Sequence, residues 1–124
     1  MKYICWGAAR QVTGSMHLVE LENGYKILID CGIDYDDRTN KEINAVFPFE
    51  PSSIDVLILT HAHVDHSGNI PNLVKQGYQG EIICTEPTAY LLNKLWIDSV
   101  NIQNSRSNRK KSVKLYGFKE VKDA

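Results

Sequence analysis

The sequence lacks the features that mark membrane and exported proteins. Among its 124 residues, no apolar run approaches the roughly 18 residues that a membrane-spanning helix requires. The first seven residues lack the apolar core of a secretory signal peptide. We therefore expect a cytoplasmic protein with no membrane partner.

A strong charge of one sign and paired cysteines are also missing. Fourteen Lys and Arg residues oppose fifteen Asp and Glu residues, and the net charge of -1 creates no overall field that favours nucleic acid or an anionic membrane. Any preference for a charged partner must therefore be local. Cys5, Cys31 and Cys84 are odd in number and widely spaced, which is typical of buried thiols in a reducing cytosol rather than of a disulfide framework.

The composition is that of an ordinary globular protein, and the first third of the chain predicts strands. With 43% hydrophobic and 23% charged residues, the chain is long enough for one domain or part of one. Residues 3–6 predict a short strand, and residues 7–15 form a loop of small residues. An alternating segment, 16–22, and a second segment, 25–30, flank Asn23-Gly24, which predicts a β-hairpin with a type I′ turn.

The middle of the chain predicts a strand, a helix and another strand after a long surface excursion over residues 32–53. Residues 55–60 are a continuous β-favouring run, typical of a strand covered on both faces. Ser67 is a candidate N-cap for a helix that continues to about Gln76, and residues 81–84 predict the next strand.

The clearest helix is predicted after Thr85, a candidate N-cap. Beyond Asn101 the sequence becomes polar, and residues 106–114 carry Arg and Lys without an acidic residue. This basic segment could follow a nucleic-acid backbone, although such runs are more often simply solvated. The helix predicted after Thr85 has an apolar stripe, which is formed by Leu91, Leu92, Leu95, Trp96 and Val100.

Four potential metal ligands lie within six positions, directly after the strand predicted at residues 55–60. In an extended chain His61 and His63 project to the same side, because side chains alternate, so two imidazoles can hold one ion. Asp65 and His66 enter the turn before the helix, where a carboxylate and an imidazole can begin a second site. The spacing therefore predicts two metal ions side by side.

A purely structural interpretation competes with this one. Polar residues are common in a loop between a strand and a helix, and Asp65 and Ser67 could merely cap the helix. The metal interpretation is favoured because three of the four histidines fall in one window, beside the small residues Ala62 and Gly68. The fourth histidine, His17, lies in an alternating segment and is interpreted as structural.

The H-x-H-x-D-H pattern at residues 61–66 resembles that of the metallo-β-lactamase superfamily. The pattern alone is shared with thioesterases, glyoxalases and lactonases. Residues 7–15 (GAARQVTGS) and 27–32 (ILIDCG) look like the opening of the β-CASP branch, the RNA-processing nucleases related to the polyadenylation endonuclease and RNase J, and residues 68–71 match that pattern. The similarity extends to about residue 102.

This resemblance implies a role for each residue of the motif. His61 and His63 would bind the first of two zinc ions, and Asp65 and His66 the second. Asp30 would join Asp65 and His66 as a catalytic residue, by accepting a hydrogen bond from a ligating histidine and fixing its tautomer. Without the resemblance, Asp30 at a strand end is interpreted as a turn residue. A hydroxide held between the two cations would attack a phosphate ester.

The later ligands of the family pattern are missing. No histidine follows His66, and Asp98 and Asp123 stand in the wrong context for a bridging aspartate. The two predicted sites therefore have two protein ligands each, below the three that catalytic zinc normally has. We expect residues 1–124 to be the N-terminal portion of a metallo-β-lactamase domain, truncated before the rest and without the β-CASP cap domain.

The fold class expected from this resemblance is α/β (α+β), specifically the first half of a metallo-β-lactamase αββα sandwich. Half a sandwich leaves one sheet face exposed, and apolar patches of that kind usually have a partner. We therefore expect a homo-oligomer, an exchange of elements, or a partner that completes the domain.

The leading functional hypothesis is a zinc-dependent hydrolase of RNA, or less commonly DNA, phosphodiesters. It would be an RNA endonuclease or 5′ exonuclease when complete, and this fragment alone is expected to be inactive. A metallo-hydrolase of small esters, thioesters or lactones would share the same four ligands, but the glycine loop and Asp-Cys-Gly favour the nuclease. A non-catalytic assembly module is the third hypothesis, and the intact ligands argue against it.

Overall fold

The computed structural model describes residues 1–35, 43–110 and 115–124, and it contains a five-stranded sheet with helices packed on one face. This mixed α/β architecture confirms the predicted fold class. The strands are β1 (Lys2–Gly7), β2 (Met16–Glu20), β3 (Lys26–Ile29), β4 (Val56–Ile58) and β5 (Glu81–Ile83). The helices are α1 (Val64–Ser67), α2 (Ile70–Lys75), α3 (Glu86–Lys110) and α4 (Phe118–Asp123), and a short 3-10 turn lies at Pro51–Ser53.

The strands lie in sequence order across the sheet, and their directions decide where the loops meet. β1, β2 and β3 pair antiparallel, whereas β3, β4 and β5 pair parallel. The carboxyl ends of β3, β4 and β5 therefore lie at the same edge as the loop between β1 and β2. Side chains that follow β3 and β4, including those of residues 30 and 60–66, are brought together at this edge.

One row of apolar side chains crosses the whole sheet and forms the base of the core. Ile4, Leu18, Leu28, Leu57 and Ile82 are register neighbours on successive strands. Leu28 and Leu57 are fully buried. Helices α2, α3 and α4 and the segment before α4 cover this row with buried side chains of the same cluster: Ile70, Leu73, Leu92, Trp96, Val100, Tyr116 and Val121.

The opposite face of the sheet, which we call the open face, is apolar and is only partly covered by the described residues, since Val56 on this face is buried. Its central row consists of Cys5, His17, Ile29, Ile58 and Ile83, one from each strand. Ile58 is 39% exposed and Ile83 is 51% exposed. Among the described residues, the prediction that the fourth strand is covered on both faces therefore holds at Val56 but is wrong at Ile58.

The β2–β3 hairpin is present, but its turn differs from the one predicted. Gly24 has a φ of +86°, whereas Asn23 does not adopt a positive φ, so the turn is not type I′. The Gly24 amide donates to the Leu21 carbonyl, and the Leu21 amide donates to the Tyr25 carbonyl. This is a three-residue loop whose left-handed glycine closes a bulge. Leu21 and Glu22, predicted to extend the strand, belong to the turn instead.

The predicted helix beginning at Ser67 is divided in two and begins earlier. Ser67 is the last residue of α1, and its hydroxyl donates to the Ala62 carbonyl at 2.9 Å, so it is not an N-cap. Asn69 precedes α2, and Pro71 lies in its first turn, where a missing amide hydrogen costs nothing. The break at residues 68–69 lets the Asn69 amide donate to the Cys31 carbonyl.

Helix α3 is longer than its apolar stripe predicts. It continues to Lys110. Within its polar part, the side-chain oxygen of Gln103 accepts hydrogen bonds from the amides of Leu115 and Tyr116. Leu91, predicted to belong to the stripe, is 47% exposed. Within the described parts of the chain, no helix has both the length and the apolar character needed to cross a membrane.

Candidate metal centre

The three histidines of the motif lie together where β4 gives way to α1. The ring centroids of His61 and His63 are 4.8 Å apart, and those of His61 and His66 are 4.1 Å apart. Residues 59–63 form neither a helix nor a strand, and the rings of His61 and His63 lie close together, as predicted. We call these three side chains the histidine cluster.

Helix α1 brings His66 back towards the strand end. His63 occupies the N-cap position, and its carbonyl accepts hydrogen bonds from the amides of His66 and Ser67. The sharp turn places His66 beside His61 although five positions separate them in sequence. Asp65 lies in the first turn of the helix, where its negative charge is favourable.

Asp30, the residue after β3, connects this turn to the sheet. It is buried, with 3% of its surface exposed, and has a φ of +60°, a left-handed conformation that Asp tolerates better than most residues. Its carboxylate accepts hydrogen bonds from the Thr60 amide at 2.9 Å and the Thr60 hydroxyl at 3.0 Å. The same carboxylate lies 2.7 Å from Nδ1 of His66. A residue 36 positions earlier in the sequence therefore orients His66.

Backbone contacts from two loops hold α1 in place. The Ser15 amide donates to the Asp65 carbonyl, the Cys31 amide donates to the His66 carbonyl, and the Ile33 amide donates to the Val64 carbonyl. Gly32 lies so close that an added Cβ would stand 1.6 Å from the Asp65 carbonyl oxygen. The Asp-Cys-Gly segment thus has a packing reason for its glycine.

The glycine loop at residues 7–15 also has a structural reason for its composition. A Cβ on Gly7 would lie 1.7 Å from the Gly14 carbonyl oxygen, so both ends of the loop meet at a neck too narrow for side chains. Gly14 has a φ of +76° and packs against Asp34, whose carboxylate accepts hydrogen bonds from Gln11 and Thr13. These contacts give the glycines of the loop a role in backbone packing.

The distance between the Asp65 carboxylate and Nε2 of His66 is better suited to two ligands of one metal ion than to a direct hydrogen bond. A neutral imidazole that donates from Nδ1 to Asp30 leaves a lone pair on Nε2, and this atom is 3.5 Å from Oδ2 of Asp65. That separation is longer than the 2.7–2.9 Å typical of a charge-assisted hydrogen bond. Two ligands at about 2.1 Å from a tetrahedral ion lie about 3.4 Å apart. The donor types and spacing of this pair are therefore compatible with two ligands of one zinc ion.

Among the residues that the structure describes, no three His, Cys, Asp or Glu side chains form a group that could hold a metal ion. The prediction from the sequence was two ligands for each of two ions. The assignment of His61, His63, Asp65 and His66 as metal ligands therefore stays a prediction, and so do the catalytic roles of Asp30, Asp65 and His66.

The remaining residues predicted from sequence lie outside the cluster or outside the described side chains. His17 is on β2, where the Tyr3 hydroxyl lies 2.8 Å from its Nδ1. All three cysteines are free, but only Cys31 is buried, so the prediction of buried thiols is wrong for Cys5, which is exposed on the open face. The basic segment at residues 106–114 lies outside the residues whose side chains are described.

Thr60 is the residue of the site that sequence reasoning missed. It precedes the first histidine, and its hydroxyl touches both Asp30 and His61. A hydroxyl next to a metal-binding motif is the signal that could have identified it, because ligating histidines need a hydrogen-bond partner for their second nitrogen.

An apolar groove lies elsewhere, at the β5 side of the sheet. A cavity of about 590 Å³ between β5, α3 and α4 contains none of the motif residues. It is lined mainly by Ile82, Cys84, Leu92, Trp96, Phe118 and Val121. The chemistry-bearing side chains are therefore gathered at the strand ends, not in this groove.

Comparison with known proteins identifies the family. The model of the metallo-beta-lactamase superfamily matches residues 9–120. The chain belongs to the metallo-β-lactamase superfamily. A metallo-β-lactamase of Cronobacter sakazakii with a HARLDQ motif has the same fold, with a TM-score of 0.50 and 21% identity, over 69% of this chain and 30% of that one.

Three curated relatives are named for activities on nucleic acid or in transcription. A ribonuclease of Thermus thermophilus is 38% identical over 84% of this chain and 24% of its own length. The transcription termination factor FttA of Methanothermobacter thermautotrophicus is 37% identical, over 77% of this chain and 15% of its own. The endoribonuclease YSH1 of Gibberella zeae is 30% identical, over 87% of this chain and 13% of its own length. The chain spans about a quarter or less of these relatives.

Proposed function

We propose that this chain carries the first metal ligands of a zinc-dependent hydrolase that cleaves RNA phosphodiesters, of the β-CASP type. The observation that carries the proposal is the contact between buried Asp30 and Nδ1 of His66, together with the 3.5 Å gap between Nε2 of His66 and Asp65. A buried carboxylate that orients an imidazole towards a second carboxylate is typical of a metal-binding histidine and its hydrogen-bond partner.

In this proposal the four residues of the motif hold two zinc ions. His61 and His63 hold one ion, and Asp65 and His66 hold the other. When bound, a zinc pair supplies a water that is nucleophilic at neutral pH and stabilises negative charge on a phosphoryl oxygen. Asp30 keeps the proton of His66 on Nδ1 and thereby leaves Nε2 available. The backbone contacts from Ser15 and Cys31 keep α1, and with it both second-site ligands, at the strand end.

We also propose that the chain is the first half of an αββα domain, whose second half supplies the remaining ligands. Two observations support this: the open face is apolar and partly exposed, and the chain corresponds to only 13–24% of the three relatives. A second sheet, from the same polypeptide or from a partner or second copy that completes the half-domain, would bury Ile58 and Ile83. The 124 residues alone would then be inactive.

The RNA substrate and the cytoplasmic location are parts of the same proposal. Relatives named ribonuclease and endoribonuclease favour RNA over DNA, and over the small esters, thioesters or lactones that other metal hydrolases cleave. Three free cysteines agree with a reducing compartment.

The test is an activity comparison in the complete polypeptide. Labelled RNA, labelled single-stranded DNA and a panel of thioesters and lactones are offered with zinc, and we expect cleavage of the RNA. His63→Ala should abolish cleavage, because it removes a ligand. His17→Ala removes an imidazole outside the cluster and should leave cleavage intact. Thioester cleavage without RNA cleavage, or full activity of His63→Ala, would contradict the proposal.

A further inference from the structure

The hydroxyl of Thr60 lies between a carboxylate and an imidazole. Its Oγ1 is 3.0 Å from both oxygens of Asp30 and 2.9 Å from Nδ1 of His61. The amide of Thr60 also donates to Asp30 at 2.9 Å, so the backbone fixes the residue at that distance. The position of the hydroxyl is therefore set by two independent contacts with the same carboxylate.

The proton of the hydroxyl can be placed by counting donors and acceptors. A hydroxyl has one hydrogen to donate and lone pairs that accept, and an ionised carboxylate only accepts. The hydrogen of Thr60 therefore points to Asp30. Towards His61 the oxygen can only accept, so Nδ1 of His61 must carry the hydrogen of that neutral ring.

The opposite arrangement is unfavourable. If Thr60 donated to His61 instead, its lone pairs would face both oxygens of Asp30 at 3.0 Å with no hydrogen between them. Asp30 is buried, and in such a setting the repulsion between the hydroxyl lone pairs and the carboxylate charge is poorly screened by solvent. The direction of the two hydrogen bonds is therefore decided by the carboxylate.

We propose that Thr60 is a positioning residue that holds His61 in the tautomer with Nε2 free to bind a metal ion. Asp30 then organises two histidines of the cluster, His66 by direct contact and His61 through the Thr60 hydroxyl. The inference rests on the proposed function only for the identity of the ion. The position of the proton follows from the contacts alone.

Two substitutions in the complete polypeptide separate the hydroxyl from the shape of the side chain. Thr60→Val keeps the shape and the amide but removes the hydroxyl, whereas Thr60→Ser keeps the hydroxyl and removes the methyl group. Zinc affinity is measured by competition with a chromogenic chelator. We expect it to fall about 10-fold in Thr60→Val, the scale of losing a ligand's hydrogen-bond partner. Thr60→Ser should keep the wild-type affinity. Equal affinities in Thr60→Val and wild type, or equal losses in both variants, would overturn the inference.

A second readout needs neither activity nor a folded Thr60→Val. In the metal-stripped wild-type polypeptide, ¹⁵N NMR of labelled imidazoles reports the tautomer at alkaline pH, with the His61 signals identified by their loss in His61→Gln. We expect the hydrogen of His61 on Nδ1. A hydrogen on Nε2 would overturn the inference even if RNA cleavage is confirmed. Absence of RNA cleavage with the hydrogen on Nδ1 would sink the nuclease proposal and leave this one standing.

Discussion

Two aspartates link β3 and β4 from opposite ends of the sheet, and only one of them belongs to the candidate site. At the amino end, the Asp55 amide donates to the Lys26 carbonyl, and the Lys26 amide donates to the Asp55 carboxylate at 2.7 Å. At the carboxyl end, the Asp30 amide donates to the Ile58 carbonyl, and the Thr60 amide donates to the Asp30 carboxylate. The backbone pattern is the same at both ends.

The difference lies in what else each carboxylate holds. Asp55 is exposed and joins only the two strands. Asp30 is buried and also accepts from the Thr60 hydroxyl and lies against His66. One carboxylate secures strand register, whereas the other secures register and orients imidazoles. Asp30 differs from Asp55 in lying buried at the carboxyl edge of the parallel strands, where it contacts residues of the proposed metal site.

The largest effect is expected from Gly32→Ala, next to Asp30. The new Cβ would stand 1.6 Å from the Asp65 carbonyl oxygen, so the loop or helix α1 must move. We expect a loss of about 3 kcal/mol in the free energy of unfolding, measured by urea titration of the complete polypeptide. RNA cleavage should fall about 100-fold, since misplacing reacting groups by about 1 Å costs that much.

Gly24→Ala is the matched control at the amino end of the sheet. No atom lies within 4 Å of its new Cβ, and only the φ of +86° opposes the side chain. The expected loss is about 1 kcal/mol, with cleavage unchanged. Equal losses of activity in Gly24→Ala and Gly32→Ala would remove the distinction between the two ends.

Asp30→Ala is expected to lower zinc affinity and RNA cleavage by about 10- to 100-fold. The substitution leaves Nδ1 of His66 and the Thr60 hydroxyl without their common acceptor. Affinity is measured by chelator competition and cleavage with labelled RNA, both in the complete polypeptide. Wild-type affinity in this variant would show that the carboxylate has only a structural role.

Asp55→Ala sharpens the comparison, because it removes a similar contact with a backbone amide. The loss of the hydrogen bond to Lys26 should cost about 1 kcal/mol of unfolding free energy. Zinc affinity and RNA cleavage should match those of the wild type. A fall in affinity as large as that in Asp30→Ala would mean that both carboxylates act only through the stability of the sheet.

The smallest effect is a contrast in thiol reactivity between the site and the open face. Burial, aided by the charge of Asp30, raises the pKa of the Cys31 thiol, so less thiolate forms there at a given pH. Cys5 is exposed. Iodoacetamide labelling followed by mass spectrometry of this chain should modify Cys5 in the native state and Cys31 only in urea. Rapid native labelling of Cys31 would contradict its burial.

The sequence predicted the parts of the site that depend on local spacing. Neighbouring positions for His61 and His63 follow from the alternation of side chains after a strand. The contact between Asp30 and His66 joins residues 36 positions apart, and only the family resemblance suggested a histidine partner for Asp30. The role of Thr60 was missed, because the role of a hydroxyl can be inferred only when its hydrogen-bond partners are known.

The errors in the predicted fold also come from contacts and strand pairing that local sequence patterns do not show. Ser67 has the chemistry of an N-cap, but its hydroxyl is used at the end of α1 instead. Asn-Gly favours a type I′ turn, yet the register of β2 and β3 requires a three-residue loop. Helix α3 continues past its apolar stripe, and there Gln103 contacts the distant Leu115, a contact that no helical period reveals.

The most direct test of the central claim is the anomalous diffraction of zinc in crystals of the complete polypeptide. The account predicts two peaks per chain. One should lie about 2.1 Å from ring nitrogens of His61 and His63, and the other at a similar distance from the Asp65 carboxylate and Nε2 of His66. Zinc peaks elsewhere, with none beside these four side chains, would contradict it.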